Sequence, residues 1–158
     1  NNHMSDKNIF ASNRKASRNF QILDKFEAGI VLFGTEVKSI KLGHVSIQEG
    51  YIQIDEKMEV WLVGCTIQHY DHGNLNNHKI DRERKLLLHR NEIIRLSTKV
   101  KEKGFTLIPL KVYSFKGKIK IQIALSKGKD GVDKREIIKK REFDRESQRV
   151  LKNFNGNN

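Results

Sequence analysis

FTLIPLKVYSFKGKIKIQIALSKG, residues 105–128, decides the fold class. Ile119, Ile121, Ile123 and Leu125 alternate with Lys118, Lys120, Gln122 and Ala124. That period of two belongs to a strand with one face in a core and one in water. Lys116-Gly117 stands at the turn, where a two-residue hairpin loop favours glycine because positive φ costs it nothing. The stretch reads as a β-hairpin whose outward face carries lysines. Pro109, the only proline, offers no N–H to a ladder, so its strand is expected at an edge or bulged there.

Working outward, Phe20 to Phe33 brings Phe20, Ile22, Phe26, Ile30, Val31 and Leu32 without helical spacing, interrupted by Gly29. Two strand pieces joined through a bulge at Gly29 are expected. Thr35 to Leu42 changes period: Val37 and Ile40 lie three apart, Thr35 is a candidate N-cap, and Gly43 suits the left-handed residue that ends a short helix. Val45–Asp55 and Glu59–Ile67 are rich in strand formers, and the turn at Asp55-Glu56-Lys57 joins them as a second hairpin. Val60 to Val63 and Cys65 leave neither face polar, so this strand is expected to be covered on both sides, with Trp61 in the core. Tyr70 to Glu83 reads as a long polar loop. Asn91 to Lys103 is the best helix, with Ile93, Leu96 and Val100 on one face and Gly104 to stop it.

The 158 residues suit one domain. Residues 1–18 are expected to be a terminal remnant (Asn1-Asn2-His3 ahead of Met4) and a basic arm ending in Asn13, Arg14, Lys15 and Arg18. Residues 19–129 form the β domain, and residues 130–158 a basic tail. Formal net charge is +12, unevenly spread: residues 1–110 hold 17 basic and 13 acidic side chains, residues 111–158 hold 14 and 6. This bias points to a polyanionic partner, nucleic acid before a membrane surface. In the tail, Asp133-x-x-Glu136 has the form of a capping box, and Arg141, Arg145, Arg149 and Lys152 align on one helical face. Its apolar residues are sparse, so the tail is expected to be disordered when free and helical against phosphates. A solvated helix docked on the domain is the alternative.

No run of apolar residues reaches the roughly 18 that a membrane span needs. A lone cysteine and the lack of a signal peptide lead to the expectation of a cytosolic protein. Cys65, His69, His72 and His78 supply zinc-binding atom types, but an apolar strand and a polar loop are poor settings for tight metal knuckles. A buried cysteine beside loop histidines is the expectation, with no metal, no cofactor and no catalysis. Glu27, a charge inside a strand-like run, must be paired: it either holds basic groups that face RNA, or bonds a nucleotide, or forms a structural ion pair. Arg82, Arg84 and Lys85 precede Leu86-Leu87-Leu88, as on a strand whose basic leading end lies on a rim that grips phosphates.

Several blocks together resemble the small protein B family, whose bacterial members bind transfer-messenger RNA (tmRNA) in trans-translation. They are Asn13-Arg14-Lys15-Ala16, Phe26-Glu27-Ala28-Gly29-Ile30-Val31-Leu32, Gly34-x-Glu36-Val37-Lys38-Ser39-Ile40, Arg84-Lys85-Leu86-Leu87-Leu88, Ala124-x-x-Lys127-Gly128-Lys129 and Asp133-Lys134-Arg135. The ordered set spans about Asn13 to Lys152. The resemblance implies a mainly β fold, a closed antiparallel β-barrel of oligonucleotide-binding (OB-like) character with about three short flanking helices. It implies binding of the transfer-RNA-like end of tmRNA and delivery to stalled 70S ribosomes, with elongation factor Tu carrying the alanylated RNA. It further implies a tail that folds in the empty messenger channel near the decoding centre.

By position, the resemblance assigns Asn13, Arg14, Lys15, Glu27, Lys38, Arg84, Lys85, Lys127, Gly128 and Lys129 to the RNA surface, with Arg18 beside the first cluster. Asp133, Lys134, Arg135, Arg141, Phe143, Arg145 and Arg149 fall in the ribosome-engaging tail. Val132 stands where relatives often carry histidine. A monomer is expected, since no conspicuous apolar patch calls for a second copy. A nonspecific nucleic-acid-binding barrel is the competing reading, and a metal-dependent RNA-processing enzyme a more distant one.

Overall fold

The computed structural model describes residues 7–71, 77–102 and 104–128. Lys129 and the tail residues Asp133, Lys134, Arg135, Arg141, Phe143, Arg145 and Arg149 lie outside the described residues, as do His72 and Lys103.

Among the described residues, nine strands and three short helices follow one another as β1 (Lys7–Ser12), α1 (Ala16–Asn19), β2 (Phe20–Ile30), α2 (Gly34–Lys41), β3 (Val45–Ser46), β4 (Tyr51–Ile54), β5 (Val60–Val63), β6 (Thr66–Ile67), β7 (Arg84–Leu87), α3 (Arg90–Val100), β8 (Phe105–Phe115) and β9 (Lys118–Gly128). Seven strands form one antiparallel sheet in the order β1-β8-β9-β2-β7-β5-β4, and β3 pairs with β6 in a separate ribbon. Strand β4 stands five places from β8 in that order, yet lies against it, so the sheet wraps around its core. The interior is filled by Phe26, Leu62, Leu86, Leu107, Val112, Ile121 and Ile123 from the strands, with Ile40 of α2 and Leu96 of α3.

The mainly β class with three short helices is as expected; the closed ring is not observed. Among the described residues no ladder joins the end strands β1 and β4. The long second hairpin is broken in two by glycines: β4 and β5 join the main sheet, while β3 and β6 peel away. Gly64 sits at φ +82, where a Cβ would lie 2.8 Å from the Glu49 carbonyl oxygen. A Cβ on Gly50 would collide with Cys65 Sγ. These close approaches admit only glycine.

The hairpin of residues 105–128 forms as read, with Lys116 at φ 52 and Gly117 at φ 80, both positive as a type I′ turn requires. Pro109 is in an interior strand, and the register shift between Pro109 and Lys111 provides its bulge. The outward face of β9 is wet only near the turn. Ala124 is fully buried in a second cluster with Ile108 and Ala16, the latter supplied by α1.

Three local expectations are corrected. Part of the supposed arm is strand β1, whose Ala11 pairs with Val112; a six-residue strand with a partner so remote in sequence carries little local signal. Residues 20–30 are one strand, and its bulge lies between Ile22 and Asp24 instead of at Gly29, which pairs on both sides, with Leu87 and with Lys120. Helix α2 is not capped by Thr35. Glu36 accepts the Phe33 N–H at 2.8 Å, and the Thr35 hydroxyl bonds His78 Nδ1 at 2.8 Å. Gly43, at φ +84, does end that helix.

Candidate nucleic-acid interface

Strand alternation sorts β8, β9 and β2 into a core face and an outer face. On the outer face the ladders place Lys111, Gln122 and Glu27 in one row, and Tyr113, Lys120 and Gly29 in the next. Lys25 and Lys118 extend the patch. Leu87 of β7, 52% exposed, sits opposite Gly29 and offers an apolar contact between the lysines.

The order within this face comes from one bond. Tyr113 Oη reaches across β9 and donates to Glu27 Oε1 at 2.6 Å. Gly29, in the Tyr113 row, carries no side chain to obstruct it. Burial, then the hydrogen bond to Glu27 and the carboxylate charge, hold the Tyr113 phenol above its ordinary value. The phenol therefore stays a donor at neutral pH and fixes the exposed carboxylate. Gln122 Oε1 is buried beside this pair and has no partner among the described residues, as has Asn13 Oδ1. On such a face the lysines can grip phosphates, while a fixed acceptor among them can select a base edge.

The residues expected at an RNA surface scatter over several places. Asn13 is half-buried and structural, donating through Nδ2 to the Pro109 carbonyl at 3.0 Å. Arg14, Lys15 and Arg18 are exposed around α1. Lys38 is exposed on α2, its ammonium 5.7 Å from the Tyr70 ring. Lys127 leaves the sheet end toward α3, where it and Lys99 lie 5.5 and 5.7 Å from the Phe105 ring. Gly128 pairs with Phe20. Lys85 is on the outer face but engages Glu59 at 3.2 Å.

Arg84 is the correction among them: it is fully buried and cannot touch an RNA. Its Nε donates to Glu36 Oε2 at 2.8 Å, and its other nitrogens bond the carbonyls of Cys65, Lys79 and Ile80. Burial raises the Glu36 carboxyl, but the bonds from Arg82, the Phe33 N–H and Arg84 outweigh it and hold the group below its ordinary value. The strand pattern puts position 84 inward, beside Leu86, a signal present in the sequence and overridden there by the charge.

Lys25, Lys111 and Tyr113 belong to no sequence motif, Leu87 reads there only as part of an apolar triplet, and Lys118 and Lys120 only as outward lysines. Alternation alone is enough to find the lysines; the crossing from Tyr113 to Glu27 depends on the sheet order. Of the zinc-type side chains, His72 lies outside the described residues, His78 is buried between Thr35 and the Ile67 carbonyl, and burial pushes the Cys65 thiol up to about 12. Among the described residues no group of three or more His, Cys, Asp or Glu could hold a metal. Nor is any described helix long and apolar enough to cross a membrane.

The chain as a whole has known counterparts. The family described as SmpB protein matches residues 10–153. The SsrA-binding protein of Syntrophobacter fumaroxidans is 49% identical over 144 residues, which cover 91% of this chain and 89% of that protein. The SsrA-binding protein of Protochlamydia amoebophila is 45% identical over 150 residues, 94% of this chain and 97% of that protein. A solved chain described as "tmRNA-SmpB: a journey to the center of the bacterial ribosome" is 41% identical with a TM-score of 0.65, covering 78% of this chain and 87% of that one. A match this long, in order and in fold, places the Glu27 strand, the Glu36 helix and the hairpin in one lineage: the chain belongs to the SmpB family.

Proposed function

We propose that this protein binds the transfer-RNA-like end of tmRNA and brings it to stalled ribosomes for rescue and tagging. The observation that carries the reading is the lysine-lined outer face of β2, β8 and β9, organised by the Tyr113–Glu27 bond, in a chain of the SmpB family. Structured RNA is recognised through shape, phosphates and splayed bases, and a rigid sheet with fixed cations suits that task. Nothing in the reading calls for an enzymatic step or a metal. The protein acts as a cytoplasmic monomer, and elongation factor Tu joins through the alanylated RNA. Asn13, Arg14, Lys15, Arg18, Lys38, Lys127, Gly128 and Lys129 border the RNA. Residues 130–158, with Asp133 to Arg135 and the arginines Arg141, Arg145 and Arg149 around Phe143, engage the ribosomal messenger channel. An OB-like barrel completed in the assembly belongs to the same reading.

The test is a gel shift with the transfer-RNA-like end of tmRNA at two salt concentrations, with ordinary transfer RNA and an unstructured strand as competitors. Binding that survives both competitors and higher salt is expected. Equal competition by all three RNAs, vanishing as salt rises, is the result of a generic basic surface and overturns the specific role.

A further inference from the structure

We infer that Phe33, backed by Arg82, is a stacking platform for an unpaired base of the bound RNA. The inference rests on the RNA-binding reading above and extends it to a part of the surface that the lysines do not reach. Phe33 is 54% exposed, and the Arg82 guanidinium carbon lies 4.2 Å from its ring centroid. A single exposed apolar side chain needs no explanation by itself. This one is different because it is held in place from two sides.

Glu36 does the holding. Its Oε1 accepts the Phe33 N–H at 2.8 Å and Arg82 Nη2 at 2.5 Å, while its Oε2 accepts Arg82 Nε at 3.2 Å. Arg82 Nη2 also donates to the Val31 carbonyl at 3.2 Å. One buried carboxylate therefore fixes the backbone of the aromatic residue and the cation that covers one side of its ring. The rest of the ring is left to solvent in a fixed frame, which lowers the ordering cost of a stacking partner.

The platform continues the lysine face. Past Ile30 the chain stays extended: the Val31 N–H donates to the Lys85 carbonyl at 2.9 Å, and Phe33 keeps φ −79 and ψ 162. Alternation carries Glu27, Gly29, Val31 and Phe33 along one side, while Ile30 and Leu32 turn to the core. Six residues of strand at roughly 3.3 Å each set Phe33 about 20 Å from Glu27. Lys38 and Lys41, on the helix that begins after Phe33, are exposed. Glu36, which holds both Phe33 and Arg82, is itself enclosed by two arginines, so its charge is spent inside the site, and the exposed Lys38 and Lys41 favour a phosphodiester. Every base has a π-face, so the platform selects for an unpaired base without selecting its identity.

The experiment measures affinity of full-length protein for the transfer-RNA-like RNA, in Phe33→Ala, Phe33→Leu and Phe33→Trp. Phe33→Ala and Phe33→Leu are expected to weaken binding by about 5- to 100-fold, the loss of one base–aromatic stack, and Phe33→Trp to restore it. The slope of affinity against salt stays as in wild type, since no phosphate contact is removed. In Phe33→Trp, binding quenches the introduced indole above the change in wild type, whose own indole is Trp61; this readout serves even where Phe33→Ala folds poorly. Wild-type affinity in Phe33→Ala, or in Phe33→Leu, overturns the platform, and so does an unquenched indole. Failure of the wild type itself to bind this RNA selectively is a different result, and it overturns the RNA reading on which the platform rests.

Discussion

Arg84 Nε lies 2.8 Å from Glu36 Oε2, and both side chains are wholly buried. The pair joins β7 to α2 and ties the loop at Lys79 and Ile80 to both. Two buried ions are no asset to stability compared with a well-packed apolar pair, because both lose their hydration. Their value is positional, since the same carboxylate sets Phe33 and Arg82.

Breaking that pair from one side is costly. Glu36→Gln is expected to destabilise the fold by about 3–5 kcal/mol, since it leaves Arg84 charged and buried without a counter-ion. Adding Arg84→Met should recover a substantial part of the loss. Urea unfolding of the two variants and wild type measures both effects, and a loss below about 1 kcal/mol in Glu36→Gln contradicts the assignment.

Acid should act through the same group. The Glu36 carboxyl is held below its ordinary value in the folded protein by the bonds it accepts from Arg82, Phe33 and Arg84. A depressed folded value means that the unfolded chain binds the proton more readily. The stabilisation is thus complete above the ordinary carboxylate range and disappears as pH falls through the lowered folded value. Urea midpoints between about pH 7 and pH 3 should fall more steeply for wild type than for Glu36→Gln; parallel curves would refute the linkage.

Tyr113→Phe removes the bond to Glu27 and keeps the packing. A stability cost of about 0.5–1.5 kcal/mol is expected, together with weaker RNA binding as the Glu27 carboxylate loses its fixed orientation. Because the folded phenol is held above its ordinary value, its contribution to stability is complete below the unfolded value and disappears as pH rises through the folded one. In an ultraviolet titration a phenol that ionises above the ordinary tyrosine range should be missing from the variant.

The lysines of the outer face and the lysine at the sheet end should separate in salt dependence. Removing one cation that neutralises a phosphate lowers the slope of log affinity against log salt by about 0.7–0.9. Lys118→Ala and Lys120→Ala are expected to lower it by about that much each. Lys127→Ala, directed to the Phe105 ring, should lower it less. Wild-type slopes in Lys118→Ala and Lys120→Ala would move the RNA off this face.

Gly50→Ala forces a methyl group into the space held by Cys65 Sγ. Overpacking of this kind typically costs about 1–3 kcal/mol. Combined with Cys65→Ala, the damage should be smaller than the sum of the two single changes, and a double-mutant cycle reads that coupling.

The strand alternation of residues 118–125 announces its hairpin because local pattern and tertiary burial agree there. The same alternation misleads at Ala124, whose outward side is covered by Ala16 from α1, a contact between residues 108 positions apart. Strand β1 is obscured for a related reason, since its pairing with β8 is remote and its own residues are mixed. At the site, outward lysines are legible from period two alone. Arg84 is misread because a charge next to lysine suggests a surface, while its position in the strand points inward and a distant glutamate makes that burial tolerable. Tyr113 can be placed beside Glu27 only through the order of three strands.

The cluster of Ala16, Ile108 and Ala124 has a further consequence for the extent of the outer face. Beyond Gln122 the outward side of β9 is buried at Ala124 and Ser126 beside α1, so the lysine-lined strip lies on the other side of that cluster, from Lys25 of β2 along the extended chain to Phe33. Eight residues of strand cover about 26 Å. The outer face is thus a strip bounded at the α1 end, not a groove that runs through the molecule.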